Sequence, residues 1–316
     1  MSLYKTSGFA IFAAVCLLGE TAGSAHAQFF ATEWSGGKVI NLGPGVATSI
    51  NDAGQAVGSG PGGATEWSGG KVINLGGDFA TSINDAGQVV RKGGANATEW
   101  SGGSVISLGG LPGSTSSSAN SINDAGQVVG YSDVGGADYA TEWSGGSIIK
   151  LEGPARTVAT GINDAGQVVG YSYDIGPYFA TATEWRGSSV TYLQNLPGAT
   201  ESVAYGINDA GQVVGASWIG GVVYATEWSG GSVINLGGLP GQTYNLANSI
   251  NDAGQVVGMS AGIGIYSAAV EWSDGSVINL GGLPSSILSE AAGINDAGQV
   301  VGFSDVPPMT VPESST

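Results

Sequence analysis

The sequence predicts an all-β protein, a seven-bladed β-propeller with four short antiparallel strands per blade. Three observations predict it. The string Ile-Asn-Asp-Ala-Gly-Gln begins at Ile50, Ile83, Ile122, Ile162, Ile207, Ile250 and Ile294, at spacings of 33 to 45 residues. The dipeptide Glu-Trp ends at Trp34, Trp67, Trp100, Trp143, Trp185, Trp228 and Trp272, so seven of the eight Trp are repeat positions. The array opens with half a unit, residues 31–42, and ends with the complementary half, residues 294–304. Self-similarity at this period marks a repeat architecture, and four strands per unit mark propeller blades. Pairing the two half-units closes the ring and removes exposed sheet edges. The alternative is a β-solenoid, which needs capping repeats at its ends.

Each element of a unit has a local reason. In the unit that starts at Ala119, residues 119–122 lead through Asn123-Asp124-Ala125-Gly126 into residues 127–131. That is a hairpin with a type I turn, Gly126 taking the left-handed position. Asn and Asp suit the early turn positions because their side chains bond nearby backbone N–H groups. Residues 139–143, rich in Thr and aromatics, form the third strand. Ser144-Gly145-Gly146 turns it into a fourth at 147–151. No segment has a helical period of apolar residues.

Composition agrees with a packed chain. Hydrophobic residues are 42% and charged residues 10%, the opposite of a disordered composition. Gly supplies 57 of 316 residues but without the triplet period of collagen. Eight basic against 25 acidic residues give a net charge of −17, which excludes a nucleic-acid partner built on clustered Lys and Arg.

Residues 1–27 read as a secretory signal peptide. Lys5 supplies the positive region, residues 8–19 the apolar run, and Ala25-His26-Ala27 the cleavage site. The apolar run is too short to span a bilayer as a helix. Removal of this segment takes away Cys16 and His26, the only Cys and the only His. The mature chain then has no base for Ser-His-Asp or Cys-His catalysis and no ligands for a His/Cys zinc site. The expected organisation is a signal peptide at 1–27, a repeat domain at 28–304 and a flexible tail at 305–316.

The paired signatures Ile-Asn-Asp-Ala-Gly-Gln-Val-Val-Gly and Trp-x-x-Gly-x-Val-x-x-Leu-Gly-Gly resemble the HAF-family extracellular repeat of bacteria, over residues 31–304. The resemblance implies an extracellular location and a repeat fold, and it brings no activity with it. Glu before each strand Trp, at Glu33, Glu66, Glu99, Glu142, Glu184, Glu227 and Glu271, departs from the apolar residue the resemblance leads one to expect. Val311-Pro312-Glu313-Ser314-Ser315-Thr316 resembles the start of a PEP-CTERM sorting tail, without its hydrophobic helix and basic cluster. The mature chain is therefore expected to carry no membrane span.

The candidate sites follow from this frame. The turn acids Asp52, Asp85, Asp124, Asp164, Asp209, Asp252 and Asp296 are explained by turn chemistry; a calcium site at the channel mouth is the alternative. The Glu of each Glu-Trp is expected at a solvated position on an outer strand. A glycosidase-like acid pair would need two different carboxylate environments, which identical repeats do not offer. The repeated Trp are expected as core between blades. The connections between second and third strands vary in length and carry aromatics. Among them Trp218, Tyr173, Tyr178 and Phe179 are expected to form one patch on neighbouring loops, suited to a glycan or an extracellular protein. Glu152, Arg156, Glu201, Asp78 and Glu290 are charges that do not repeat. The function expected is a secreted or surface-associated, non-catalytic binding or scaffold module without a cofactor. A secreted carboxylate-dependent polysaccharide hydrolase or lyase is the competing class.

Overall fold

A computed structural model describes residues 28–77, 79–92, 95–173, 179–262 and 266–307. The expected signal peptide, residues 1–27 with Cys16 and His26, together with Asp78, Tyr178 and residues 308–316, lies outside the described residues. Among the described residues there are 28 strands, β1 to β28 in chain order, and no helix long and apolar enough to cross a membrane.

The strands form antiparallel meanders of four. β3 (Val46–Ile50), β4 (Ala56–Gly60), β5 (Gly63–Ser68) and β6 (Lys71–Asn74) make the first, and the pattern repeats through β26 (Ser276–Gly281). The sheet order β2-β1-β28-β27 joins the two ends of the chain. There β1 (Gln28–Ser35) pairs antiparallel with β28 (Val300–Val306), from Gln28 opposite Val306 to Trp34 opposite Val300. Asp305 is buried in β28, and its Oδ1 accepts from the N–H groups of Ile287 and Leu288. Ordered structure thus runs past the expected boundary at 304.

The first strand of each unit is innermost. β3, β7 (Phe79–Ile83), β11 (Ser114–Ile122), β15 (Thr157–Ile162), β19 (Glu201–Ile207), β23 (Tyr244–Ile250) and β27 (Ser289–Ile294) adjoin one another in that cyclic order. The Asn-Asp-Ala-Gly turns behave as the sequence predicts. The Gly54 N–H donates to the Asn51 carbonyl at 3.0 Å, and Gly54 takes φ 76°. A side chain there would be strained, so Gly closes the turn.

The core lies between units. Trp185 packs with Val129, Ala140 and Leu151 of the preceding unit. Trp272 does the same against Val214 and Ala225, and Trp34 against Val257 and Ala269. Four indole N–H groups reach carbonyls at the end of the preceding unit, as from Trp228 to Gln194 at 2.7 Å. A repeated Trp therefore glues each sheet to its neighbour by area, and at Trp34, Trp185, Trp228 and Trp272 by one directed bond as well.

Every inner strand carries a β-bulge that the sequence gives no sign of. The register slips between Ala47 and Ser49, and at the equivalent point of the other six. The residue in the slip is left unpaired and re-aimed. Opposite the bulge the second strand needs Gly: a Cβ on Gly58 would lie 2.0 Å from the Val46 carbonyl oxygen. Arg91 takes this position in one unit. Its buried guanidinium instead donates to the carbonyls of Leu75 and Gly76.

Candidate binding site

Two hydrogen-bond circuits run around the turn mouth. Asn51 Nδ2 donates to the Asn84 carbonyl at 3.0 Å, and the same link passes through Asn123, Asn163, Asn208, Asn251 and Asn295 back to Asn51. The Asp52 N–H donates to Asp85 Oδ1 at 2.9 Å, and this circuit likewise returns from Asp296 to Asp52. Both circuits bridge the first and last turns of the chain.

A relay ties each turn to its own sheet. Asn123 Nδ2 donates to Gln127 Oε1 at 2.9 Å, the Gln127 N–H donates to Asn123 Oδ1, and Gln127 Nε2 donates to Glu142 Oε1 at 3.0 Å. The Gln-to-Glu bond recurs at Glu33, Glu66, Glu99, Glu184, Glu227 and Glu271. The Glu of Glu-Trp is therefore no solvated outer position. Glu66 and Glu99 are buried and the other five half-buried, and each Glu is an acceptor at the end of a polar chain leading to the axis. Buried polar groups must be bonded, and this relay bonds them.

The turn Asp are exposed and line a shallow axial mouth of about 190 Å³. Each has one carboxylate oxygen committed to a neighbouring N–H. Burial, together with the charges of Asp85, Asp164 and Asp52, raises the Asp124 carboxyl above its ordinary range. Among the described residues no group of three or more His, Cys, Asp or Glu is placed to hold a metal ion.

Past the ring of turn Ile residues lies an axial cavity of about 300 Å³, walled by the inner strands. The bulged residues face it: Thr48, Thr81, Asn120, Thr160, Tyr205 and Asn248, with Ala292 in the last unit. Thr48 Oγ1 donates to the carbonyls of Val57 and, across the unit boundary, Ala80. Thr81, Asn120, Thr160 and Asn248 make the same crossing to Ala119, Ala159, Ala204 and Ala291. Tyr205 and Ala292 change the side chain at this position.

The cavity is where the repeat breaks. The residue two before the bulge is Val46, Phe79, Ser118, Val158, Val203, Leu246 and Glu290 in successive units. Glu290 is 6% exposed, lines the cavity, and its Oε1 accepts from Asn248 Nδ2 at 3.0 Å. Burial pushes its carboxyl up to about 7, the Asn248 bond pulling the other way. Tyr244 is pushed up to about 12 by burial and by the Glu290 charge. Glu290 appears in the sequence only as one unrepeated charge among five. Aligning the seven inner strands on the turn Ile singles it out as the one charge at its position.

The expected aromatic patch is only partly described. Trp218 is the penultimate residue of β20 (Val213–Ile219), paired with Val223, and not in a loop as the Ile-Gly-Gly after it suggested. It is half-buried against the cluster of Ala216, Leu246 and Met259, turned to the unit that follows. Tyr173 ends β16 (Gln167–Tyr173) in the preceding unit and meets Tyr171 edge-on at 5.5 Å. Phe179 is 53% exposed, and Tyr178 lies outside the described residues. The strands run longer than expected, past Tyr131 to Val134 and back from Tyr139 to Ala137. Tyr131 in β12 (Val128–Val134) and Tyr139 in β13 (Ala137–Ser144) are strand residues, and Lys150 Nζ stands 4.2 Å over the Tyr139 ring.

Four-stranded meanders set around an axial cavity define a β-propeller type of all-β protein. Solved structures agree. The TolB-designated protein of Agrobacterium tumefaciens matches with a TM-score of 0.55 at 11% identity, over 90% of this chain and 100% of that one. The β-propeller domain of the Trilobed protease from Pyrococcus furiosus, described as having an open velcro topology, matches at 0.51 and 14%, over 77% and 85%. A puromycin-hydrolyzing peptidase of Mycobacterium tuberculosis matches at 0.57 and 12%, over 89% of this chain and 55% of that one. At these identities the likeness concerns the fold alone. No family model matches the chain, and no curated protein does.

Proposed function

We propose that this chain is a secreted bacterial repeat protein, a seven-bladed propeller closed by pairing of its terminal half-blades. It acts outside the cell as a non-catalytic binding or scaffold module. One observation carries the functional reading: the repeated carboxylates are spent on the scaffold. Each Glu of Glu-Trp accepts from a Gln, and each turn Asp accepts from a neighbouring turn. Among the described residues lining the axial cavity, Glu290 is the one carboxylate, whereas glycoside hydrolysis requires two in different environments. Closure is supported by the β1–β28 pairing and by the links from Asn295 to Asn51 and Asp296 to Asp52. Export is supported by the signal-like residues 1–27, and the extracellular setting by the HAF resemblance.

The test is a glycan array and a pull-down from culture medium, both with the exported protein, alongside hydrolysis assays on the same glycans. Saturable binding without turnover is the expected outcome. Release of cleaved sugar would overturn the non-catalytic reading. A mature N-terminus other than Gln28, or retention of residues 1–27 in a cytoplasmic form, would overturn the address.

A further inference from the structure

The axial cavity contains a buried acid without a cation. Among the described residues the one ion pair is Arg186 with Glu184, at the surface. Glu290 has an amide for a partner, Asn248, whose Nδ2 is shared with the Ala291 carbonyl. Lys92, exposed at the end of β8 (Val89–Lys92), lines the same cavity but makes no ion pair with Glu290. The other titratable group that Glu290 feels is Tyr244. A buried carboxylate in a protein is ordinarily paired with a cation or neutralised.

The walls around it combine Ile and Ala with small polar side chains such as Ser249 and Thr48. Ala292 stands at the bulge where other units place Thr, Asn or Tyr, which leaves room beside Glu290. Ile250 and Ile294 close the cavity toward the turn mouth. A volume of about 300 Å³ falls at the lower end of ligand pockets. The net charge of −17 concentrates cations around the molecule.

We propose that the axial cavity binds a small organic amine, its ammonium group seated on the Glu290 carboxylate and its apolar part against Ile250, Ala292 and Ile294. This rests on the reading of the protein as a binding module and assigns it a ligand class and a place. The ammonium supplies the missing cation, and Ile250 and Ile294 offer an apolar surface to the carbon part of the amine. The raised ionisation of Glu290 makes the site pH-dependent: occupied where the acid is charged and the amine protonated, weakened below about 7.

The test is calorimetric titration of the intact protein with cyclohexylamine and with cyclohexanol, at pH 8.5 and at pH 5. Cyclohexylamine is expected to bind at least tenfold more tightly than cyclohexanol at pH 8.5, and to lose at least tenfold at pH 5. Glu290→Gln should abolish the preference for the amine and leave cyclohexanol unchanged, which also shows that the variant is folded. Ala292→Leu, which fills the cavity and keeps the acid, should weaken both probes. Equal binding of amine and alcohol by the parent, or an amine preference that survives Glu290→Gln, would overturn the assignment. A glycan or protein captured elsewhere on the surface leaves this result independent. Failure here likewise leaves the module reading standing, with its ligand elsewhere.

Discussion

The turn mouth and the cavity wall lie next to each other on the axis and follow opposite rules. At the mouth, every unit contributes the same Asn, Asp, Gly and Gln in the same geometry, and the hydrogen bonds form closed circuits. A few residues further along the inner strands, the bulged position varies from Thr to Asn, Tyr and Ala, and the crossing bonds are made by some units and not others. The mouth is a fastening device in which each Asn and Asp bonds to the neighbouring unit, so a change there is felt by two units. The wall is free to vary, because a missing bond there costs one unit boundary about 1 kcal/mol and leaves the circuits at the mouth intact. A ring that must close by repetition acquires individuality where repetition is not needed.

The largest test of this contrast removes the fastening. Deleting residues 294–316 strips β28 from β1 and takes Asn295 and Asp296 out of both circuits. An unpaired β1 is an open edge that seeks another strand. Size-exclusion chromatography and far-ultraviolet circular dichroism should show an unfolded or dimeric protein. A monomer with the parent's melting temperature would mean that the termini do not hold the ring.

Most of the mouth is legible in the sequence, and most of the wall is not. The turn type follows from Asn-Asp-Ala-Gly because local backbone geometry selects those residues, and the strand count follows from the period. The circuits are not legible, since nothing within one unit says that Asn163 reaches the carbonyl of Asn208. The role of the Glu in Glu-Trp is hidden for the same reason: its partner Gln lies at the start of the neighbouring second strand, 11 to 17 residues away in most units. The bulge is a register slip of one residue, and slips leave no compositional mark except the Gly opposite. Trp218 shows the limit in the other direction. Its distance from the Glu-Trp series suggests a special loop residue, yet it extends a strand and packs on Leu246 and Met259.

The second test changes the wall alone. Glu290 titrates at about 7 in place of 4.5. An acid whose folded value is raised contributes stability that is fully present below its unfolded value and is lost as pH rises through the folded one. The difference corresponds to roughly 3 kcal/mol, spread between about pH 4.5 and 7. Glu290→Gln keeps the shape and stays neutral, so it should melt at the parent's temperature near pH 4.5 and several degrees above it at pH 8. The circuits at the mouth do not involve this residue and predict no such crossover. Parallel melting curves for the two proteins across that range would show that the carboxyl is solvated in the cavity and carries little burial cost.

The smallest test returns to the mouth and asks whether its acids are there for charge or for shape. Asp124 Oδ1 accepts from the Asp85 N–H at 2.8 Å, and an Asn at that position keeps an oxygen acceptor in the same place. Burial and the charges of Asp85, Asp164 and Asp52 oppose its ionisation and outweigh the Asp85 N–H bond, which favours it. Stability from this group is thus present below the ordinary carboxylate range and declines as pH rises through its raised value. Asp124→Asn should then stabilise the protein at neutral pH by a few tenths of a kcal/mol, since the group is largely exposed and screened. The gain should shrink in about 1 M salt, where the screening length falls to roughly 3 Å. Asp124→Ala removes the acceptor as well and should cost about 1 kcal/mol regardless of salt. Melting curves of the two variants at low and high salt separate the contributions. If Ala costs no more than Asn and neither destabilises the protein, the circuit bond contributes nothing and the mouth is held by its Asn links alone. If Asn destabilises as strongly as Ala does, the negative charge itself is required, and the ring of acids is an electrostatic feature and not only a fastening.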